Sequence, residues 1–116
     1  MANIGGNITA TIQTKIAIGK NDLGEMVHQR TDKVTVTGWL DMMSGDSSYS
    51  TYNAKIAEST HVFLCDYDDE IYALKEEDTR AIINGFVYDV KYIDNPMELN
   101  EHLEIFLRKV GAWDGK

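Results

Sequence analysis

Apolar and polar residues alternate along much of this 116-residue chain, and a period of two predicts strands. Over residues 8–18, Ile8, Ala10, Ile12, Ile16 and Ile18 share one parity, while Thr9, Thr11, Gln13 and Lys15 share the other. Thr14 is the exception on the apolar side. The β-branched content suits a strand. GKNDLG at 19–24 is a turn-rich connection, and residues 25–30 predict a short return strand. Residues 33–43 predict a further strand, with Val34, Val36, Leu40 and Met42 on one face and Thr35, Thr37, Trp39 and Asp41 on the other. Gly38 interrupts the apolar face, which implies a bulge or the close approach of another backbone. The compact apolar run at 59–67 predicts a central strand buried on both faces. Asp68, Asp69 and Glu70 close it, residues 71–74 predict a short strand, and 75–78 an acidic turn.

The clearest local signal is TRAIINGFVYDVKYID at 79–94. Asn84-Gly85 at its centre is a hairpin turn pair, because a type I′ turn needs φ > 0 at both central residues. A two-residue loop sets Ile83 against Phe86, Ile82 against Val87, Ala81 against Tyr88 and Arg80 against Asp89. One face then carries Ala81, Ile83, Phe86, Tyr88, Val90 and Tyr92; the other carries Arg80, Ile82, Val87, Asp89 and Lys91. Pro96, the single proline, fits the edge of a sheet. The chain is therefore expected to be all-β, an antiparallel sheet with one face on a core.

Two stretches break the pattern. The first is residues 44–53: Ser44, Gly45, Asp46, Ser47 and Ser48 open it, and Tyr49, Ser50, Thr51, Tyr52 and Asn53 complete it. It has no apolar period, and with residues 54–58 it makes a loop long enough to suggest function. Its small apolar surface offers little to offset the entropy of fixing it, so it is expected to be mobile in an isolated subunit. The second is residues 99–110. Leu99, Leu103, Phe106, Leu107 and Val110 recur at helical spacing, yet Leu103, Ile105 and Leu107 alternate as in a strand. Periodicity slightly favours helix; a final strand would remove a sheet edge. Residues 1–7 read as a flexible arm, 8–110 as one domain and 111–116 as a tail.

Composition narrows the function. The formal net charge is −8 and the pI about 4.7, so the domain should repel phosphate backbones. Cys65 is the single cysteine, which excludes an intrachain disulfide. No apolar run reaches membrane-spanning length, and the first residues lack the features of a signal peptide, so a cytosol is the expected place of synthesis. His61 and Cys65, four apart in a strand, share a face but stand roughly 13 Å apart, too far for one metal or one catalytic pair. Asp66, Asp68, Asp69 and Glu70 lack the spacing of a calcium loop. The glycines form no nucleotide-binding motif. No metal, cofactor or catalytic constellation is expected.

Four ordered pieces resemble the head–tail joining proteins of long-tailed phages, also called head-closure or stopper proteins. NDLGE at 21–25 resembles the family's early D-x-G turn, and VTGWLDMMSG at 36–45 its strand ending in Ser-Gly. ESTHVFLCDY at 58–67 resembles its central strand, and INGFVYDVKYIDNP at 83–96 its G-x-x-Y-x-V hairpin. Cys65-Asp66 departs from the basic residue that many relatives carry before the tyrosine. The resemblance implies a small β-barrel or sandwich with a final strand at 101–109. It also implies a non-enzymatic virion protein at the head–tail interface, assembled in the host cytoplasm. As a homo-oligomeric ring it would meet a portal connector or adaptor protein on one side and a tail-completion or tail-tube protein on the other. Double-stranded DNA would pass through the channel without specific binding, and no membrane is involved. In that family a loop after the early strands closes the channel; here residues 44–53 hold that position. Two other readings remain. One is an OB-like module binding nucleic acid or a small ligand, with Trp39, Tyr88 and Tyr92 as stacking candidates. The other is a small hydrolase using His61 beside a carboxylate.

Overall fold

The computed structural model describes residues 4–43 and 54–115. The expected residues 44–53 loop lies outside them. Six strands, β1 (Ile8–Lys20), β2 (Met26–Met42), β3 (His61–Asp66), β4 (Thr79–Ile83), β5 (Phe86–Asp94) and β6 (His102–Ala112), form a closed antiparallel barrel in the order β1-β2-β3-β6-β5-β4. The all-β expectation holds. Inward residues of alternating parity fill the barrel: Ala10 and Ile12 from β1, Phe63 and Cys65 from β3, Ala81 and Ile83 from β4, Leu103, Ile105 and Leu107 from β6. Two short helices, α1 (Ala54–Ala57) and α2 (Asp69–Tyr72), and 3-10 turns at Glu76–Asp78 and Pro96–Glu98 complete the described residues.

The β4–β5 hairpin has the expected register, from Ile83 opposite Phe86 to Arg80 opposite Asp89, and Asn84 and Gly85 have φ of 51° and 80°. The final segment is a strand, β6, pairing with β3 on one side and β5 on the other.

Five expectations need correction. Residues 71–74 are not a strand. Asp68 accepts hydrogen bonds from the backbone N–H groups of Glu70 and Ile71 at 2.8 and 3.2 Å, capping α2, whose Ile71 is fully buried. The separate strands expected at 25–30 and 33–43 are one strand, β2, with a bulge between the Ile12–Val34 and Gln13–Asp32 pairs that absorbs Lys33. A second bulge at Lys91 flips the parity of β5, so Ile93 is buried while Tyr92 turns outward beside Phe106, ring centroids 6.2 Å apart. β3 is buried on its inner face alone; Val62 and Leu64 are half-buried outside. Pro96 borders no sheet edge, because the barrel is closed, and instead starts a 3-10 turn.

Gly38 is the close approach that the sequence implied. A Cβ there would collide with the Leu64 carbonyl oxygen and lie 2.7 Å from the Phe63 ring. On its other side the chain segment at residues 4–7 crosses the barrel. Asn7 N–H donates to the Gly38 carbonyl (3.2 Å), the Trp39 indole to the Ile4 carbonyl (3.1 Å), and Ile4 N–H to Asp66 Oδ1 (2.7 Å). Gly6, at φ 147°, would also strike Gly38 if it carried a Cβ. Gly38→Ala should therefore destabilise the fold by about 2 kcal/mol or more, read as a lower urea midpoint with unchanged m-value. Gly111→Ala, where a Cβ meets open space, is the control and should stay near wild type.

Candidate functional site

Strand directions give the barrel two poles. At the first, the β2–β3 connection leaves and returns. Its stems are held together: Met42 pairs with His61, and Met43 N–H donates to the Thr60 carbonyl at 2.9 Å. Thr60 is tied to β6 as well, since its N–H donates to the Leu107 carbonyl (2.8 Å) and its hydroxyl accepts from Lys109 N–H (2.9 Å). α1 lies against β5, with Ile56 buried and Glu58 paired to Lys91 at 3.0 Å. Ser44, Gly45, Asp46, Ser47, Ser48, Tyr49, Ser50, Thr51, Tyr52 and Asn53, the candidate closing segment, lie outside the described residues, between these two anchored stems.

The chemistry candidates do not combine. His61 stands at the rim, edge-on to Tyr88 with centroids 5.2 Å apart, and its Nδ1 hydrogen-bonds the Thr60 hydroxyl at 2.8 Å. Burial, and then the charge of Lys109, hold its pKa below the ordinary histidine value, so the ring is neutral at pH 7. Cys65 is fully buried, and burial pushes its thiol up to about 12. Such a thiol is a packing group rather than a nucleophile. Trp39 and Tyr92 point outward on opposite flanks and Tyr88 inward, so the three share no face. Among the described residues no cluster of three or more His, Cys, Asp or Glu is placed to hold a metal. Asp66 and Asp68 have structural hydrogen bonds instead, to Ile4 and to the start of α2.

The second pole was less legible. Here β1 and β2 run past the barrel as a two-stranded arm. β4 pairs with β1 at Ala10–Thr14 and β3 with β2 at Gly38–Met42; from Lys15 to Arg30 the two strands pair with each other. The arm lengthens the molecule to 48 Å against 31 and 27 Å in the other directions. It continues the apolar parity of residues 8–12, which is why residues 16 and 18 read as core positions, yet Ile16 and Ile18 are exposed. Its base is fixed by a polar chain on the outer face. Gln13 Nε2 donates to Asp32 Oδ1 and Arg80 Nε donates to Gln13 Oε1, both at 2.7 Å, while Arg30 donates to the Asp78 carbonyl at 3.0 Å. The Arg30 pKa is lowered, first by burial and then by Arg80.

The second pole is also the acidic one. The β3–β4 connection brings Asp68, Asp69, Glu70, Glu76, Glu77 and Asp78 there, and the β5–β6 turn brings Asp94, Glu98, Glu101 and Glu104. Asp94 and Glu104 stand directly opposite on the ladder.

No family model and no curated protein matches this chain. Among solved structures it is similar to the solution structure of protein SF1141 from Shigella flexneri 2a, with a TM-score of 0.68 and 20% identity over 94% of this chain and 96% of that one. That likeness concerns the fold.

The Asp94–Glu104 pair has a pH signature. Burial, and then Asp94, hold the Glu104 carboxyl above its ordinary range, with His102 pulling weakly the other way. The folded chain therefore keeps a proton that the unfolded chain has lost. Stability falls as pH rises from the unfolded carboxylate range through the raised folded value. Glu104→Gln should be more stable than wild type at neutral pH, by up to about 1 kcal/mol for a like-charge cross-strand pair. The gain should vanish near about pH 3, below the raised range of Glu104, whose carboxyl is then protonated in the folded and unfolded chain alike. Urea denaturation at the two pH values reads both outcomes.

Proposed function

We propose that this protein is a head-closure subunit, part of a ring that joins a phage portal to its tail and holds packaged DNA in the head. The observation that carries the reading is β6. Periodicity slightly favoured a helix over residues 99–110, whereas the resemblance implied a strand at 101–109; the chain is a strand at His102–Ala112. The stems of the candidate closing segment support it further. They leave one pole of the barrel side by side, so a ring of copies can direct that segment from each subunit towards a common axis. The acidic balance suits a channel wall to which DNA does not adhere. Closure on this reading is steric, and no phosphate pairing is involved, since residues 44–53 carry no Lys or Arg.

Shortening residues 46–51 and assembling heads with the variant tests the reading. The barrel and the Met43–Thr60 stem pairing do not involve those residues, so the protein should still be recruited to portal-containing heads, and those heads should leak DNA. Full DNA retention would remove this segment as the plug, and failure of the wild-type protein to bind such heads would remove the reading altogether.

A further inference from the structure

The barrel wall is recessed at the base of the arm. β4 starts at Thr79, opposite Thr14, while its neighbours run further, β1 to Lys20 and β5 to Asp94. Where β4 would continue between them, the chain turns instead through the 3-10 segment Glu76–Asp78. Ile93 N–H donates to Glu76 Oε2 at 3.3 Å and ties that turn to β5. The result is a cleft of about 270 Å³, bounded by Lys15 and Arg30 on the arm, Glu76 and Glu77 on the turn, and Thr79 and Val90 on the barrel. Its volume lies near the lower limit of ligand pockets, and Val90 is the one apolar residue among those described on its walls, so it suits a small polar molecule.

The charges in the cleft are not balanced against one another. Lys15 and Arg30 face each other directly across the β1–β2 ladder, where like charges repel. Arg80 adds a third positive charge beside Arg30. Asp78 and Asp89 act on Arg30 from further off, but among the described residues no carboxylate forms an ion pair with Lys15 or Arg30. Arg30 donates once, to the Asp78 backbone carbonyl at 3.0 Å, which leaves guanidinium N–H groups for another acceptor. Glu77 likewise has no hydrogen bond or ion pair among the described residues. The other charged groups are engaged: Lys91 with Glu58 at 3.0 Å, Glu76 with the Ile93 N–H, and Asp89 opposite Arg80 on the ladder. Two cations and one carboxylate remain.

We propose that this cleft binds a small amino dicarboxylate, a molecule of the glutamate or aspartate class, with its two carboxylates on Lys15 and Arg30 and its ammonium on Glu77. The Arg30 fork suits a carboxylate, which accepts two N–H bonds in parallel, and Lys15 supplies a point charge on a flexible stem. Binding removes the repulsion between Lys15 and Arg30, so the ligand also stabilises the base of the arm. The site stands apart from the head-closure reading, since residues 46–51 supply none of these groups.

Calorimetric titration of the whole chain at constant ionic strength tests it, with L-glutamate, L-aspartate, the matching diacids glutarate and succinate, L-alanine and L-lysine. The tighter of the two acidic amino acids should bind with Kd of about 1 mM or below. Its diacid, which lacks the ammonium, and L-alanine, which lacks the second carboxylate, should each bind about tenfold more weakly, and L-lysine not at all. Lys15→Gln, at an exposed position, should weaken the acidic amino acid about tenfold. Glu77→Gln should bring it down to the affinity of its diacid without weakening the diacid. Circular dichroism of each variant establishes that the barrel is intact. No binding of either acidic amino acid at about 10 mM overturns the proposal. So does a diacid that binds as tightly as its amino acid, and so does wild-type affinity in Lys15→Gln. Protein shortened at residues 46–51 should bind like wild type, so loss of DNA closure and loss of this site are read separately.

Discussion

Everything in this fold depends on the ladder between β3 and β6. It joins the β1–β2–β3 portion of the sheet to the β4–β5 hairpin through β6, pairing His61 with Leu107 and Asp66 with His102. Four fully buried residues, Leu103, Ile105, Phe106 and Leu107, come from β6. Without that strand the sheet would be open, with β3 and β5 as bare edges and the apolar interior uncovered. The ladder also places the candidate regions. It ties Thr60, and through it Met43, to β6, and it sets the β5–β6 turn across the barrel from the arm.

The sequence was legible where local chemistry and burial agree. Asn84-Gly85 determined its hairpin register to the residue, because the φ > 0 requirement and the alternating pattern point to one answer. It misled where an extra residue changes the parity. Neither Lys33 nor Lys91 announces a bulge, and each shifts every side chain after it to the opposite face. Ile71 misled for another reason: a single buried apolar residue after three acids fits a short strand or one capped turn equally well, and the Asp68 cap decided for the turn.

The functional surfaces were harder to see for a physical reason. Ile16 and Ile18 have the alternation of a buried strand, and nothing in residues 8–18 says where the barrel ends. That limit is set by β4, whose pairing with β1 stops at Thr14, opposite Thr79. Gln13, read as a polar residue on the outer face, proved to be the joint of the arm, bridging Asp32 and Arg80. Such roles come from partners 19 and 67 residues away in the chain, and period-two patterning does not encode partners.

The strap over Gly38 also sets an order of events. Residues 4–7 are synthesised well before Asp66, which accepts the Ile4 N–H and lies 62 residues further on. β1 likewise cannot complete its pairing until β4 exists, and the barrel cannot close until β6 does. The strap, made before the elements that hold it, is thus among the last to be locked in place. Folding dominated by such distant contacts is slow for a domain of this size, and until β6 arrives the nascent chain has apolar edges available to other chains.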